Sequence, residues 1–516
     1  MPYIDCNTGF PSIRKEDYDY TIIGSGAAGI LLAVKLTEKG KRVLMIEAGH
    51  FEEDAERQSL NKILQTGKEL ESSESGRKRA VGGTTIAWGG QSLPFYPIDF
   101  SKRDWVENSG WPLPIEEVQP YYNEANRFMG VDEVDYEEDV FAMLGMKKQP
   151  FNRDELWYHF SKWAPEPNFK KLYYSTLEHD VTVLYNAVAT RINVNNDKLA
   201  DNIELANFKG EKATIPVNNV LVATGSIEAS RLLLASDAQV VGGLGNHSGW
   251  LGKCFMEHPC IEIGIVSPPN EYKLQQAFNT HLYKKRKYSV RISLAEKAQR
   301  DQKVLNASMG IMFDYNDGRV DPYVEVRKYL QERKVNSIPS LFTNMGAYML
   351  SAKALVLDKL IYKHNARARA VVMMEQEPLK ESAITLSNEI DVVGMRKASL
   401  NWQISHKTWD TVVYASGVLK RELKRLGFGD LNVHAHINSV NTNWASHLTD
   451  VNHHMGGTRM SATPDEGVVS TELQVWGHPN IYVCSCSVFP TVSHSNPTLT
   501  MMALCIRLVN KLTAKN

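Results

Sequence analysis

The clearest pattern of apolar and polar positions lies near the start of the chain. A short β-branched apolar run, YTII, ends at Gly24, and the segment AAGILLAVKLTEKG behind the glycine turn has apolar residues at helical spacing up to Gly40. A second apolar run, RVLMI, precedes Glu47. The pattern predicts strand, tight turn, helix and second strand, which is the beginning of an α/β domain.

The same order of elements returns after a long interruption, in residues 218–236 with the sequence NNVLVATGSIEASRLLLAS. From Cys260 to about Val440, apolar and polar residues alternate instead, in KYSVRISL, AVVMME, AITLS and ASLNWQIS. We therefore expect a discontinuous α/β domain and a second domain built on a mainly antiparallel sheet. Within the second domain, residues 323–364 have helical spacing and predict a helical insertion.

Composition narrows the function classes. The chain has 516 residues, which favours two packed domains, and its net charge of −1 gives no global attraction to nucleic acid. The six cysteines form no CxxC pair, which is typical of free thiols in a reducing compartment. The chain shows no signal-peptide pattern and no run of about 18 apolar residues. We expect a cytoplasmic protein without an integral membrane segment.

The first glycine turn has the spacing of a dinucleotide-binding motif. Gly24 permits the turn, Gly26 lets the backbone approach a pyrophosphate, and Gly29 lets the helix pack on the strand. Glu47 stands about 20 residues on, where a carboxylate accepts hydrogen bonds from ribose hydroxyls and disfavours NADP. A glycine turn without a ligand would not explain Glu47. FAD and NAD both fit this unit, so the choice between them stays open here.

Two further segments carry candidate chemistry. RAVGGTTIAWGGQS, residues 79–92, has four glycines around one tryptophan and favours close backbone approach to a flat ligand. In the C-terminal part, His454 lies in NHHMGGTRM, and Asn496 precedes Pro497, where a long helix is predicted to begin. Asn496 could be only a helix cap and His454 only a loop histidine. Near a flavin, however, a neutral imidazole and an amide that bind one alcohol oxygen would form a catalytic pair.

Several motifs in a fixed order resemble the glucose-methanol-choline (GMC) oxidoreductases. They are GSGAAG with Glu47, GGTTIAWGG, GWPLPIEEVQPYYNEA, ATGSIEASRLLLAS, GNHSGWLGKCFMEHP, HHMGGTRM and SVFPTVSHSNPTLTMMAL. The resemblance runs from about Asp19 to the C-terminus and is strongest to the branch of pyranose oxidases, sugar dehydrogenases and glycoside oxidases. It implies an FAD-binding Rossmann-type domain of residues 1–100, 177–259 and 441–516. An α+β substrate domain would comprise residues 101–176 and 260–440.

The resemblance also implies residue roles. His454 and Asn496 would be the catalytic pair, with the N-terminus of the following helix facing flavin N1 and O2. The cofactor would be held by Gly24, Ser25, Gly26, Ala28, Gly29, Glu47, Ala48, Gly83, Thr84, Thr85, Trp88, Val188, Ala223, Ser485, Cys486, Pro497 and Thr498. Ala87 stands where several pyranose oxidases carry a flavin-linked histidine, so the FAD is expected to be noncovalent. No metal site is expected.

The resemblance implies oxidation of an alcohol, expected to be a secondary hydroxyl of a sugar or glycoside, with oxygen or another acceptor receiving the electrons. The alternatives are another alcohol-, polyol- or sterol-oxidising GMC enzyme, a non-redox flavin-containing lyase, an NAD-dependent dehydrogenase and a non-enzymatic flavoprotein. An oligomer is possible. His494 is interpreted as structural and Gln91 as a candidate substrate contact. Further pocket candidates are Tyr323, Tyr348, Trp402 and His406.

Overall fold

The computed structural model describes residues 3–315, 345–438 and 443–514. The strands of this part are β1 Tyr3–Asp5, β2 Tyr20–Ile23, β3 Val43–Ile46, β4 Leu64–Gln65, β5 Gln91–Ser92, β6 Leu156–Trp163, β7 Val181–Tyr185, β8 Val188–Val194, β9 Ala200–Ala206, β10 Lys212–Pro216, β11 Asn219–Val222, β12 Cys260–Ser267, β13 Thr280–Tyr283, β14 Arg286–Leu294, β15 Ala307–Asp314, β16 Arg367–Met374, β17 Ala383–Ile390, β18 Arg396–Asn401, β19 Asp430–Val433 and β20 Ile481–Val483.

The helices of the same residues are α1 Ala27–Glu38, α2 Ala55–Gln58, α3 Ser72–Ser75, α4 Pro97–Phe100, α5 Tyr122–Phe128, α6 Glu138–Leu144, α7 Phe169–Leu172, α8 Tyr174–His179, α9 Gly225–Ala235, α10 Glu271–Phe278, α11 Glu296–Gln302, α12 Met345–Asp358, α13 His406–Arg425, α14 Ala435–Asn438 and α15 Thr498–Thr513.

The first sheet is parallel and has the strand order β1-β7-β3-β2-β11-β20. Its strands are apolar on both faces, as is usual where helices cover both sides of a parallel sheet. Helix α1 packs against α15 and joins β2 to β3. The predicted α/β fold class is confirmed, and chain segments far apart in sequence build one sheet.

The turn between β2 and α1 depends on two glycines. Gly24 has a φ of +100°, a conformation that side chains disfavour. A Cβ on Gly29 would lie 1.9 Å from the carbonyl oxygen of Gly24, so only glycine lets α1 approach the strand this closely. The structure therefore gives both residues the packing roles that the sequence predicted.

The second large sheet is antiparallel, with the order β19-β12-β16-β15-β14-β6-β5 and β13 paired to β14. One face carries apolar side chains such as Val290, Ile292 and Val372, which pack with α13 in a buried core. The opposite face of β6 and β14 carries Ser161 and Arg291 among other polar side chains. Since side chains alternate along a strand, the polar face is the one left to line a site.

The domain boundaries stay predictions, and two details differ from them. Strand β5 falls in the segment expected to belong to the FAD domain but pairs with β6 of the antiparallel sheet. Strands β17 and β18, expected in the large antiparallel sheet, instead form a small sheet with β4. Both exceptions arise because short segments between the two domains pair with whichever strand edge lies nearest.

The predicted insertion of residues 323–364 lies partly outside the described residues. Its described part contains α12, which has exposed apolar side chains at Met345, Met349, Val356 and Leu357. Across the described ranges, no helix is both long and apolar enough to cross a membrane.

Candidate active site

A cavity of about 660 Å³ runs between the parallel sheet and the polar face of the antiparallel sheet. This volume lies within the range of small-molecule and cofactor sites. The lining includes nearly all residues that the sequence analysis assigned to the cofactor: Gly24, Ser25, Gly26, Ala28, Glu47, Ala48, Gly83, Thr84, Thr85, Trp88, Val188, Ala223, Ser485, Cys486, Pro497 and Thr498. Gly29 does not line the cavity because its role is to pack α1 on the strand.

The glycine turn offers a cradle for a dinucleotide. Gly26 is the N-cap of α1, and a Cβ added to it would meet no atom within 4 Å, so its backbone borders open cavity. Gly225, the first residue of α9, borders the cavity in the same way. Free N–H groups at the start of α1 attract an anion. This end of the cavity fits the pyrophosphate of a dinucleotide.

Glu47 stands at the end of β3, deep in the same region. Its Oε2 accepts hydrogen bonds from the Ser25 amide at 3.0 Å and the Ser25 hydroxyl at 2.6 Å, and its Oε1 accepts one from the Gly49 amide at 2.7 Å. Burial nevertheless raises the pKa of Glu47 above its ordinary value. The carboxyl group is thus fixed beside the glycine turn, where a ribose would bind.

The other end of the cavity has a flat, glycine-rich wall. Thr84 and Thr85 lie in a short 3-10 turn, and the Trp88 indole donates to the carbonyl oxygen of Pro167 at 2.7 Å. Ala87 lies on this wall. Gln91 lies on it as well, and its amide donates to the Ser161 hydroxyl at 2.6 Å. A flat ring system fits between this wall and the start of α15.

At this end of the cavity, Asn496 lies beside His453. The Asn496 Nδ2 atom is 3.0 Å from His453 Nε2, and the Asn496 Oδ1 atom has no hydrogen-bond partner among the described residues. Helix α15 begins at Thr498 with Pro497 as its N-cap, and that cap makes no side-chain hydrogen bond. Asn496 therefore precedes the cap position, and its side chain lines the cavity.

This geometry corrects the predicted pair. The sequence analysis paired Asn496 with His454, but the His454 Nε2 atom is 3.0 Å from the Ser72 hydroxyl instead. The reason is an antiparallel bridge between Met256 and Met455, which sets His453 across from His258. The two imidazoles meet through their Nδ1 atoms at 3.0 Å. His454 also lines the cavity but contacts a different wall.

Glu257 holds the backbone of this histidine loop. Its Oε1 accepts hydrogen bonds from the amides of Val451 and His453, and its Oε2 accepts one from the amide of His258. Burial raises the pKa of Glu257 to about 8. The hydrogen bonds from the three N–H donors have the opposite effect, because they favour the ionised form. Glu257 lies in the motif GNHSGWLGKCFMEHP, whose pattern alone does not indicate this role.

The buried histidines of this region are neutral at pH 7. Burial, with a smaller contribution from the positive charge of Arg291, lowers the pKa of His453 to about 4. Burial also lowers the pKa of His454 to about 3 and that of His258 well below its ordinary value. A neutral imidazole can accept a proton, so His453 is equipped to act as a base.

Arg291 is a further cavity residue that the sequence analysis missed. It lies on the polar face of β14, lines the cavity with His453 and Asn496, and is half-buried. Its guanidinium makes no hydrogen bond or ion pair within the described ranges. A single charged residue in an alternating strand gives no signal in the sequence, because such residues usually face solvent.

The remaining candidates lie elsewhere. His494 is buried and borders a second cavity rather than the main one. Trp402 is buried in a separate cluster and donates to Gln376, whereas His406 is exposed and pairs with Asp410. Tyr348 lies on α12, and Tyr323 lies outside the described residues. No group of three or more metal-ligating side chains occurs in the part of the chain that the structure describes.

Comparisons with known proteins identify the family of two parts of the chain. The family model described as GMC oxidoreductase matches residues 378–505, and that described as pyridine nucleotide-disulphide oxidoreductase matches residues 18–244. The chain belongs to the GMC oxidoreductases. A 2-methyl-1,2-propanediol dehydrogenase from Mycolicibacterium austroafricanum is 22% identical over 95% of this chain and 94% of its own length.

Two other similarities are a short segment of sequence and a shared fold. A C-glycoside 3-oxidase from Arthrobacter globiformis is 44% identical over 61 residues, which are 12% of each chain. The crystal structure of pyridoxine 4-oxidase from Mesorbium loti has a TM-score of 0.54 and 14% identity and covers 97% of this chain and 100% of that one, which shows a shared fold. This GMC oxidoreductase uses FAD and acts on CH–OH groups.

Proposed function

We propose that this GMC oxidoreductase oxidises a secondary hydroxyl of a sugar or glycoside to a carbonyl, with His453 as the general base. The observation that carries the proposal is the contact between His453 Nε2 and Asn496 Nδ2 at 3.0 Å inside the cavity. Similarity to the C-glycoside 3-oxidase from Arthrobacter globiformis supports the substrate class.

The two side chains would bind one alcohol oxygen together. An oxygen within hydrogen-bond distance of both nitrogen atoms would accept from the Asn496 amide and donate its proton to His453 Nε2. Bound FAD would supply the acceptor for the hydride of the carbinol carbon at its N5 atom. Asn496 would thus fix the oxygen while His453 removes the proton, as general-base catalysis requires.

The neighbouring histidine sets the tautomer of His453. One proton is shared between the two Nδ1 atoms that lie 3.0 Å apart. We assign this proton to His453, because that leaves its Nε2 with a lone pair toward Asn496 and the cavity. His258 then accepts at Nδ1 and acts as a positioning residue.

The FAD is proposed to be bound noncovalently. Ala87, on the cavity wall, has a methyl group that cannot form a bond to the flavin. Instead, the glycine turn, Glu47 and the start of α15 would hold the cofactor. Heat or acid should therefore release all flavin into the supernatant of the precipitated protein, and flavin left in the pellet would contradict this part.

The test is anaerobic mixing of the holoenzyme with neutral sugars, sugar acids, glycosides, polyols, choline and a sterol while flavin absorbance is followed. Bleaching by a sugar or glycoside, with a carbonyl at a secondary position of the product, is the expected result. Bleaching by choline or the sterol alone would reject the substrate class, and no bleaching by any compound would reject oxidation. Admission of air then separates an oxidase, which recolours rapidly, from a dehydrogenase.

A further inference from the structure

The charged side chains that line the cavity are almost all paired with opposite charges. Arg77, Arg79 and Arg231 form ion pairs with Glu228 at 2.8, 2.9 and 3.3 Å. Lys78 forms one with Glu53 at 2.8 Å. Arg231 also pairs with Asp391. Each of these basic groups is therefore in contact with a carboxylate of the protein, although the three arginines share two carboxylates.

Arg291 differs from this group. Within the described residues its guanidinium makes no hydrogen bond and no ion pair, although it is half-buried and borders the cavity. Burial lowers its pKa, yet a guanidinium stays charged in a protein. A partly desolvated cation without a counter-ion is costly, so the position is explained best by a ligand that supplies the negative charge.

The surroundings of Arg291 contain no negative charge among the described residues that could take this place. His453 and His494, whose pKa values respond to its charge, are neutral at pH 7. Burial raises the pKa of the Cys260 thiol to about 11, so this group is neutral as well. On the neighbouring strand, Gly310 has no side chain, and a Cβ there would lie 3.7 Å from Arg291 Nη1. The guanidinium therefore packs over the bare backbone of Gly310 and borders the cavity beside it.

The position also separates Arg291 from the cofactor's phosphates. These groups fit the glycine turn at Gly26, at the parallel-sheet end of the cavity. Arg291 instead lies on the antiparallel sheet, in the wall that includes His453 and Asn496. The anion that it would bind thus belongs to the substrate.

We propose that Arg291 binds the carboxylate of an acidic sugar, so that the natural substrate is a sugar acid such as a uronic or aldonic acid. This inference rests on the proposed function of the same site. One guanidinium neutralises one charge and presents two parallel N–H donors, which match a carboxylate. A phosphate dianion would leave one negative charge unbalanced beside neutral histidines. The carboxylate would be held by Arg291 while a hydroxyl of the same sugar binds His453 and Asn496.

The test separates binding from turnover. In the holoenzyme carrying His453→Ala, titration calorimetry measures the Kd of D-glucuronate, D-galacturonate and D-gluconate, each against its neutral amide. We expect at least one acid to bind about 10- to 100-fold more tightly than its amide, as for a hydrogen bond to a charged group. Equal binding of acid and amide in every pair, or no binding of any acid, would overturn the inference.

Two variants add matched controls. Arg291→Gln should abolish the preference for the acid, whereas Arg286→Gln, on the same strand but outside the cavity lining, should keep it. Arg291→Lys keeps the charge and should retain part of the preference, even if the glutamine variant folds poorly. A preference that survives in Arg291→Gln would assign the carboxylate to another group.

Flavin reduction of the enzyme with His453 intact provides the separate check on the proposed function. Bleaching by neutral sugars with no preference for acids would keep that function and reject this inference. A preference for acids in binding without bleaching by any sugar would reject the function and leave an acidic ligand at Arg291.

Discussion

Asn496 Nδ2 lies 3.0 Å from His453 Nε2, and Asn496 stands one residue before the N-cap of α15. The contact joins two segments that are 43 residues apart in sequence. Because Pro497 fills the cap position, the side-chain amide of Asn496 does not cap the helix and lines the cavity instead. The start of the helix thus fixes the amide, and the bridge at Met455 fixes the imidazole, before any substrate binds.

The first prediction separates the two adjacent histidines. His453→Ala should slow flavin reduction by about 10³-fold, a loss within the range expected when a general base is removed. His454→Gln should slow it by less than about tenfold, because His454 contacts Ser72 and not Asn496. Stopped-flow reduction of both holoenzymes measures these rates.

Flavin content and thermal stability serve as controls for both histidine variants. Each variant should retain its FAD, since the glycine turn lies at the other end of the cavity. A loss of reduction in His454→Gln equal to that in His453→Ala would assign the base to His454 after all.

The second prediction concerns Asn496. Asn496→Ala should lower kcat/KM by about 10- to 100-fold through loss of one hydrogen bond to the substrate oxygen. Its Tm should change by less than about 2 °C, because the side chain makes no cap. Asn496→Asp places a carboxylate beside His453, which raises the pKa of that imidazole. The acidic fall in kcat/KM should then begin at higher pH than in the native enzyme. A large drop in Tm for Asn496→Ala would restore the capping role.

The sequence predicted the dinucleotide half well because its signals are local. Gly24, Gly26, Gly29 and Glu47 lie within one strand-turn-helix-strand unit, and their spacing follows from the backbone geometry of that unit. All of them lie at the cavity or at its packing interface in the structure.

The choice between His453 and His454 could not be made from local pattern. It depends on the bridge between Met256 and Met455, which lie far apart in sequence, and a shift of one residue would exchange the two side chains. Arg291 was missed for a similar reason. Helix α13 packs on one face of the antiparallel sheet, and this leaves the other face of β14 to line the cavity. The alternation of polar and apolar residues along β14 does not by itself show which face that is.

The third prediction compares glycines. Gly26→Ala adds a methyl group that points into open cavity, so the apoprotein should fold normally but bind FAD at least about tenfold more weakly. Gly29→Ala should instead prevent folding, because its Cβ would meet the Gly24 carbonyl oxygen. Gly417→Ala, inside α13 with no atom within 4 Å of its added Cβ, is the control and should change neither property for the worse. Unaltered FAD affinity in Gly26→Ala would place the pyrophosphate elsewhere.

The fourth prediction follows from the neutral histidines. The folded-state pKa values of His453, His454 and His494 are about 4, 3 and 3, whereas an unfolded histidine has a pKa of about 6.5. Between these values the unfolded state binds more protons, so stability falls as pH drops from about 6.5 toward 4. Calorimetric Tm should decrease over this window. His494→Asn should reduce the slope, and an unchanged slope would show that this histidine is already protonated in the folded enzyme.

The last prediction concerns Glu257, whose carboxyl group accepts from the amides of Val451, His453 and His258. In Glu257→Gln, the new NH₂ group would face an amide N–H that loses its acceptor. Leaving a buried donor unsatisfied costs about 1–3 kcal/mol, so Tm measured above pH 8, where Glu257 is ionised, should fall by several degrees.

The same variant tests whether Glu257 positions the base. Displacement of His453 should lower kcat more than it raises KM, whereas a purely structural role would lower the amount of active enzyme without changing either constant. The folded pKa of Glu257 is about 8 and lies above the unfolded value of 4.5, so its contribution to stability is lost as pH rises from about 4.5 to about 8. Glu257→Gln should flatten the loss of stability over this window, while the exposed control Glu381→Gln should leave it intact. A loss of equal size in both variants would assign it to another group.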